Sequence, residues 1–254
     1  MSAIGLAFLA FLVALSGAGL GLAFRDRLPA HHLSRDSTDV IKLATGLMAT
    51  LVALVLSLLI SSANSFRLEV EGEYRRALAN VGELDQRLRA YGPQTGEIRG
   101  LLRQTVAEAA HRRWPDEQFG PAPAGAPDTK DALIDLERRI VRLRPADDEQ
   151  KWFQAQALQL VNSLVQIQQL MSDQARSSSQ PIPVLLAVAF CAAVIFANFG
   201  LFAQPNPTMI GALAVAALAV AGSVFLILEL GTPFSGLLQI TSAPVKTLLE
   251  ALGR

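Results

Sequence analysis

Few residues in this chain invite chemistry by type, and their spacing decides against most of it. His31, His32 and His111 have no His, Cys or Glu at helical spacing around them, so no metal site is expected. His31-His32 reads as part of a polar loop. The single cysteine, Cys191, falls in an apolar block, which rules out disulfides within the chain. The run Gly17-Ala18-Gly19-Leu20-Gly21 has the composition of a nucleotide-binding turn, but no strand precedes it and its surroundings are apolar helix. Small residues so spaced are expected instead to let two membrane helices approach closely. There is no Ser/His/Asp order, no phosphate loop and no carboxylate pair beyond ordinary surface charge. The chain is therefore not expected to be an enzyme or to hold a cofactor. Glu229 is the only acidic residue inside an apolar stretch. A carboxylate at membrane depth is costly and invites a functional reading. It lies near the end of its helix, however, where reaching the interface is cheap, so a structural role is equally open.

The most informative pattern lies in residues 43–64. Gly46, Thr50, Ala53, Ser57, Ser61 and Asn64 are spaced 4-3-4-4-3 and make one face of small or weakly polar residues, while the other faces are dominated by Leu, Val, Ile and Met. Such a stripe has two physical uses. It lets helices pack closely with hydroxyls bonding across the contact, or it lines a wet pore when several copies surround an axis. Lys42 and Arg67 extend the stripe at its ends. In an oligomer they would form positive rings at both mouths, favouring anions.

The elements that must position these residues follow from the distribution of charge. Only 17% of the chain is charged, against about a quarter in an ordinary soluble domain. Residues 1–24, 43–66, 177–228 and 230–245 carry no charge at all, whereas 65–180 hold 16 Lys/Arg and 17 Asp/Glu. A bilayer core needs roughly 20 apolar residues of helix, and the third charge-free block is long enough for two passes. The expected fold is an all-α polytopic membrane protein with four transmembrane helices. The first two occupy residues 1–64. A helical aqueous domain at 65–180 is inserted between the second and third, and the last two occupy 181–230. The first crossing, residues 3–24, has a cleaved signal peptide as its rival reading, but no Lys or Arg precedes Arg25.

After a loop containing Pro29, Ser37 or Thr38 is expected to cap the second helix. That helix meets no proline until Pro93, so it should run from 39 to about 91, roughly 80 Å at 1.5 Å per residue. Its outer half carries a coiled-coil-like seam of Val70, Tyr74, Ala77, Val81, Leu84, Leu88 and Tyr91. A helix over 147–176 has the matching seam Phe153, Ala157, Leu160, Leu164, Ile167 and Met171, with glutamine-rich outer faces. The two are expected to pack antiparallel. Shorter amphipathic segments at 97–113 and 130–144 lie between them. They are joined by a loop that Pro115, Pro121, Pro123 and Pro127 keep irregular and mobile. Ser177-Ser178-Ser179-Gln180 returns the chain to the membrane, and Gln204-Pro205-Asn206-Pro207 turns it between the last crossings. The C-terminal segment, 231–254, ends in an amphipathic helix with Val245, Leu248, Leu249 and Leu252 on one face, which reads as interfacial.

The net charge of zero and the absence of a basic face exclude nucleic acid as a partner. Arg67, Arg75, Arg76, Arg176, Lys246 and Arg254 would flank the membrane on the domain side, against Arg25, Arg27, Arg35 and Lys42 on the other. That balance leans toward both termini and the domain being cytoplasmic.

Two segments resemble a known family. Leu33-Ser34-Arg35-Asp36-Ser37-Thr38-Asp39-Val40-Ile41-Lys42-Leu43-Ala44-Thr45-Gly46-Leu47 resembles the start of the second crossing in bacterial bestrophin-like proteins. Phe225-Leu226-Ile227-Leu228-Glu229-Leu230-Gly231-Thr232-Pro233-Phe234-Ser235-Gly236, followed by Ile240-Thr241-Ser242-Ala243-Pro244, resembles the end of their fourth. The four-crossing layout and central insertion also match. Gly231 stands where the family commonly has Asp, so no acidic site carries over there. The resemblance implies kinship with bestrophins: pentameric anion channels of the membrane whose second helix lines the pore. The implied setting is a bacterial inner membrane, and the implied partners are lipid, further copies of the chain and inorganic anions. A non-conducting scaffold or signalling protein acting through the aqueous helices is the alternative, because fold-level analogy does not establish activity.

Overall fold

A computed structural model describes residues 2–25, 35–119, 128–177, 182–203 and 206–253. The expectations for Pro29, His31 and His32, for the proline loop at 120–127, and for Ser178-Ser179-Gln180 and Gln204-Pro205 lie outside those residues. Every regular element described is helical: α1 (Ala3–Arg25), α2 (Arg35–Tyr91), a 3-10 turn (Pro93–Thr95), α3 (Gly96–Arg113), α4 (Thr129–Val141), α5 (Asp148–Ser177), α6 (Ile182–Phe202), α7 (Pro207–Leu230) and α8 (Ala243–Leu252). α1, α2, α6 and α7 are long and apolar enough to cross a membrane. The helix α2 begins at Arg35, so Ser37 and Thr38 fall inside its first turn rather than capping it.

The chain forms two compact units, Met1–Arg67 with Ser179–Thr232 and Gly236–Leu238, and Leu68–Ser178 with Pro233–Ser235 and Gln239–Arg254. In the first, α1, α6 and α7 close around Ala14, Ala18, Phe196 and Ala217. Glycine sets the closeness of α1 and α6. A Cβ on Gly17 or Gly21 would run into the backbone of Ala193 or Ala197, and one on Gly200 into that of Ala18. Gly19 meets open space, so of the glycines in the run only Gly17 and Gly21, a small-xxx-small pair, serve close packing, with Ala18 beside them against Gly200. The N-terminus of α7 is fixed by Asn206, whose Oδ1 accepts from the Met209 N–H at 2.7 Å, with Pro207 in the first turn.

In the second unit, Val70, Tyr74, Val81, Leu84, Leu88 and Tyr91 of α2 are buried and Ala77 is half-buried. On α5, Ala157, Leu164 and Ile167 are buried; Phe153, Leu160 and Met171 are half-buried, and the fully buried Val161 joins them. Asn80 donates to the Ser163 hydroxyl at 3.0 Å, and Gln150 Nε2 donates to the Tyr91 carbonyl at 3.1 Å. Higher numbers on one helix thus meet lower ones on the other, an antiparallel pair. The glutamines of α5 have a use beyond solvation: Gln154 Nε2 donates to the carbonyls of Ile140, in the last turn of α4, and Leu143, just past it.

Gly92 stops α2 with φ 133°, a conformation that disfavours any side chain. The buried Thr95 hydroxyl then donates to the orphan Leu88 carbonyl at 2.6 Å. Asp85 is buried between Arg99, 2.6 Å away, and Arg89, at 3.0 Å. The C-terminal helix departs from expectation. Val245, Leu249 and Leu252 of α8 are buried within this unit, where α8 packs on α3, so protein rather than a membrane surface takes up its apolar face.

Candidate functional site

The membrane-spanning half of α2 is docked by one face only. Leu56, with the half-buried Val52, Leu59 and Ile60, packs on Val188, Leu185 and Ile227 of α6 and α7. Thr45, buried on the same face, accepts from Asn198 Nδ2 at 3.0 Å and donates to the Ile41 carbonyl at 2.8 Å. Asn198 is thus a helix-to-helix tie. At about 100° per residue, the stripe lies roughly a third of a turn from this docked face. Gly46, Thr50, Ala53, Ser57, Ser61 and Asn64 are all exposed, and a Cβ on Gly46 would touch nothing. The Thr50 hydroxyl donates to the Leu47 carbonyl of its own helix at 2.7 Å. Among the described residues no hydrogen bond joins the stripe to another element. Among the described residues, packing within one chain thus leaves the stripe exposed. Next to it, Leu47, Leu51, Leu54 and Leu58 are also exposed, Leu58 by 70%.

The ends of the stripe are not equivalent. The Lys42 ammonium lies 3.9 Å from the Asp39 carboxylate, both exposed, so its charge is largely offset. Arg67 Nε donates to the Leu238 carbonyl at 3.2 Å. That carbonyl belongs to a segment braced by Glu229. Glu229 is 5% exposed, and its Oε1 accepts from the N–H groups of Leu237 and, at 3.1 Å, Leu238. Gly236 has φ 93°, and a Cβ there would run into the Glu229 carboxylate. The spacing Glu229 to Gly236 now has a cause: the acid turns back to hold amides that only a glycine lets approach. The carboxylate is fixed by backbone donors and supports the segment on which Arg67 rests.

A sequence profile for the bestrophin-like domain matches residues 10–245. The chain belongs to the bestrophin-like domain family. Two crystal structures of a bacterial bestrophin homolog from Klebsiella pneumoniae, each bearing a mutation, share its fold. One has a TM-score of 0.72 at 15% identity over 96% of this chain and 97% of that one. The other scores 0.71 at 13% identity over 97% of each. A crystal structure of a further membrane protein variant scores 0.71 at 14% identity, covering 99% of this chain and 97% of that one. No curated protein matches this sequence.

This bestrophin-like chain also carries an aromatic cluster in its aqueous unit that sequence reasoning missed. Trp114, 3% exposed, donates from Nε1 to the Ile240 carbonyl at 3.1 Å. Its ring lies 5.6 Å from those of Tyr74 and Phe234 and 6.1 Å from Phe119. Local pattern marks Trp114 only as the residue that follows the amphipathic segment 97–113, and Phe234 only as part of a family motif. Nothing in local periodicity links positions so far apart. Among the described residues no group of three or more His, Cys, Asp or Glu is placed to hold a metal.

Proposed function

We propose that this chain assembles into a homo-oligomeric membrane channel, a pentamer by analogy with bestrophins, in which α2 lines an axial pore for small inorganic anions. One observation carries the reading: Thr50, Ser57, Ser61 and Asn64 point away from their own chain within the span of a bilayer. Lipid offers hydroxyls and amides no partners beyond their own helix, such as the Leu47 carbonyl that Thr50 uses, whereas copies of α2 around an axis would set them in a shared wet column. The neighbouring leucines, about 100° further round the helix, would then meet lipid or the next subunit. Arg67, fixed by the Leu238 carbonyl, supplies the positive mouth; the opposite mouth, with Lys42 beside Asp39, contributes little net charge. We read the chain as a conduit rather than a catalyst, in a bacterial inner membrane. On the positive-inside balance, the aqueous unit and both termini are cytoplasmic.

The test is purified protein in liposomes under a chloride gradient, with the subunit number measured in parallel by native mass spectrometry. The reading expects a higher oligomer, chloride flux above empty vesicles, and a reversal potential on the anion side. A monomer or dimer without flux would refute it, and flux of cations alone would remove the anion clause.

A further inference from the structure

The aqueous unit contains a half-open pocket of about 80 Å³, walled by Val81, Leu102, Val106, Leu133 and Leu164. Two polar groups in that wall lack partners suited to them. Tyr74 is 6% exposed and, among the described residues, its hydroxyl has no hydrogen-bond partner. Burial pushes its pKa up to about 12, against a smaller opposing pull from Arg113, so it stays a neutral donor. An unpaired buried hydroxyl is costly and calls for an acceptor.

Arg113 lines the same pocket. Its Nη1 donates to the Ala109 carbonyl at 3.3 Å, its Nη2 reaches only the Met171 sulfur at 3.7 Å, and its guanidinium lies over the Phe234 ring at 5.4 Å. Burial lowers its pKa, yet a guanidinium remains charged at any physiological pH. Among the described residues no carboxylate lies within ion-pair distance of it. Of the acids nearby in sequence, Glu117 is committed to Lys246 and Ser242, Glu108 and Asp128 to Arg112, and Asp116 is exposed. Residues 120–127 contain no acid at all. The Tyr74 ring stands 5.9 Å from the same Phe234 ring that Arg113 covers. A planar anion entering here would find a guanidinium fork and a phenol donor together, with an apolar wall behind.

We propose that this pocket binds a small aliphatic carboxylate, its head group on Arg113 and Tyr74 and its tail along Val81, Leu102, Val106 and Leu133. The inference stands whether or not the chain conducts.

Trp114, 5.6 Å from the Tyr74 ring, is a built-in reporter. Trp152 is the only other tryptophan and is half exposed, so Trp152→Phe isolates the signal. The full chain in neutral detergent would be titrated with octanoate, and with octan-1-ol and butyrate as comparators. The expected result is a saturable change in Trp114 fluorescence with octanoate, and binding about tenfold or more weaker for each comparator, a 1.4 kcal/mol difference. Arg113→Gln should weaken octanoate by a similar factor. Tyr74→Phe, which removes only the unpaired hydroxyl, should weaken it about fivefold while leaving the unfolding temperature equal or higher. If Arg113→Gln fails to fold, Tyr74→Phe decides. A response that never saturates, octanol binding as well as octanoate, or Tyr74→Phe binding octanoate as tightly as its parent would each overturn the proposal.

Discussion

Along α2, Val70, Tyr74, Val81, Leu84, Leu88 and Tyr91 are buried in the aqueous unit, while Gly46, Thr50, Ala53, Ser57, Ser61 and Asn64, earlier on the same helix, are exposed. Both rows repeat at nearly the same period, and the contrast lies in what covers them. In water, a heptad-like row of large apolar residues must be buried, and the antiparallel partner α5 does so within one chain. In a bilayer, the hydrophobic effect no longer drives helices together, and a row of small polar residues gains by facing either another helix or water. One half of α2 is thus completed by its own chain; in the proposed channel, other copies complete the other.

Perturbing each half separately should break different properties. The largest effect is expected from Ser57→Leu. It places a bulky apolar group on the open stripe and should reduce ion flux to that of empty vesicles, with subunit number and unfolding temperature unchanged. Flux that survives with assembly intact would return the stripe to simple packing. In the outer half, Leu88→Ala removes a side chain only 1% exposed and should cost about 3 kcal/mol of stability, read by denaturant unfolding. Flux per folded protein should be preserved.

Arg67 marks the place where one half gives way to the other. Glu229→Ala, which strips the Leu237 and Leu238 amides of their acceptor, should cost about 2 kcal/mol. Gly236→Ala should act in the same direction through its strained backbone and its collision with that carboxylate. Both should alter conductance through the loosened Arg67 mouth, which single-channel recording would resolve.

The smallest effect concerns Glu117. Hydrogen bonds from Lys246 first, then Ser242, hold its carboxyl below the usual glutamate range. A depressed folded pKa contributes stability that is present above the ordinary value and is lost as pH falls through the folded one. Acid should therefore loosen α8 before the core seams, visible as faster amide exchange at 243–252, and Glu117→Gln should flatten that dependence.

The four crossings and both seams were legible in the sequence because charge-free length and periodicity are local signals. Gly92-Pro93 likewise announced the end of α2. The stripe was legible as a pattern but not as an outward face, because only the packing of Leu56 and Thr45 on α6 and α7 fixes which side remains open. Glu229 was singled out as an acid, but its cause lies in the backbone of Gly236, Leu237 and Leu238, which no spacing rule supplies. Arg113 and Trp114 looked like an ordinary helix end. Their surroundings come from Tyr74, Phe234 and Ile240, brought in from distant parts of the chain. The apolar face of α8 could be read, but the sequence did not say whether protein or lipid would cover it.

The central claim is that the stripe of α2 faces water in the assembled protein. Because Cys191 is the only cysteine, a Cys191→Ala background allows single thiols to be placed at will. Ser57→Cys and Leu58→Cys, reconstituted in liposomes and exposed to a charged, membrane-impermeant thiol reagent, test the claim directly, since the reagent needs a hydrated thiolate. The account predicts rapid labelling and loss of flux for Ser57→Cys, with Leu58→Cys unreactive. Labelling of Leu58→Cys with Ser57→Cys protected would contradict it.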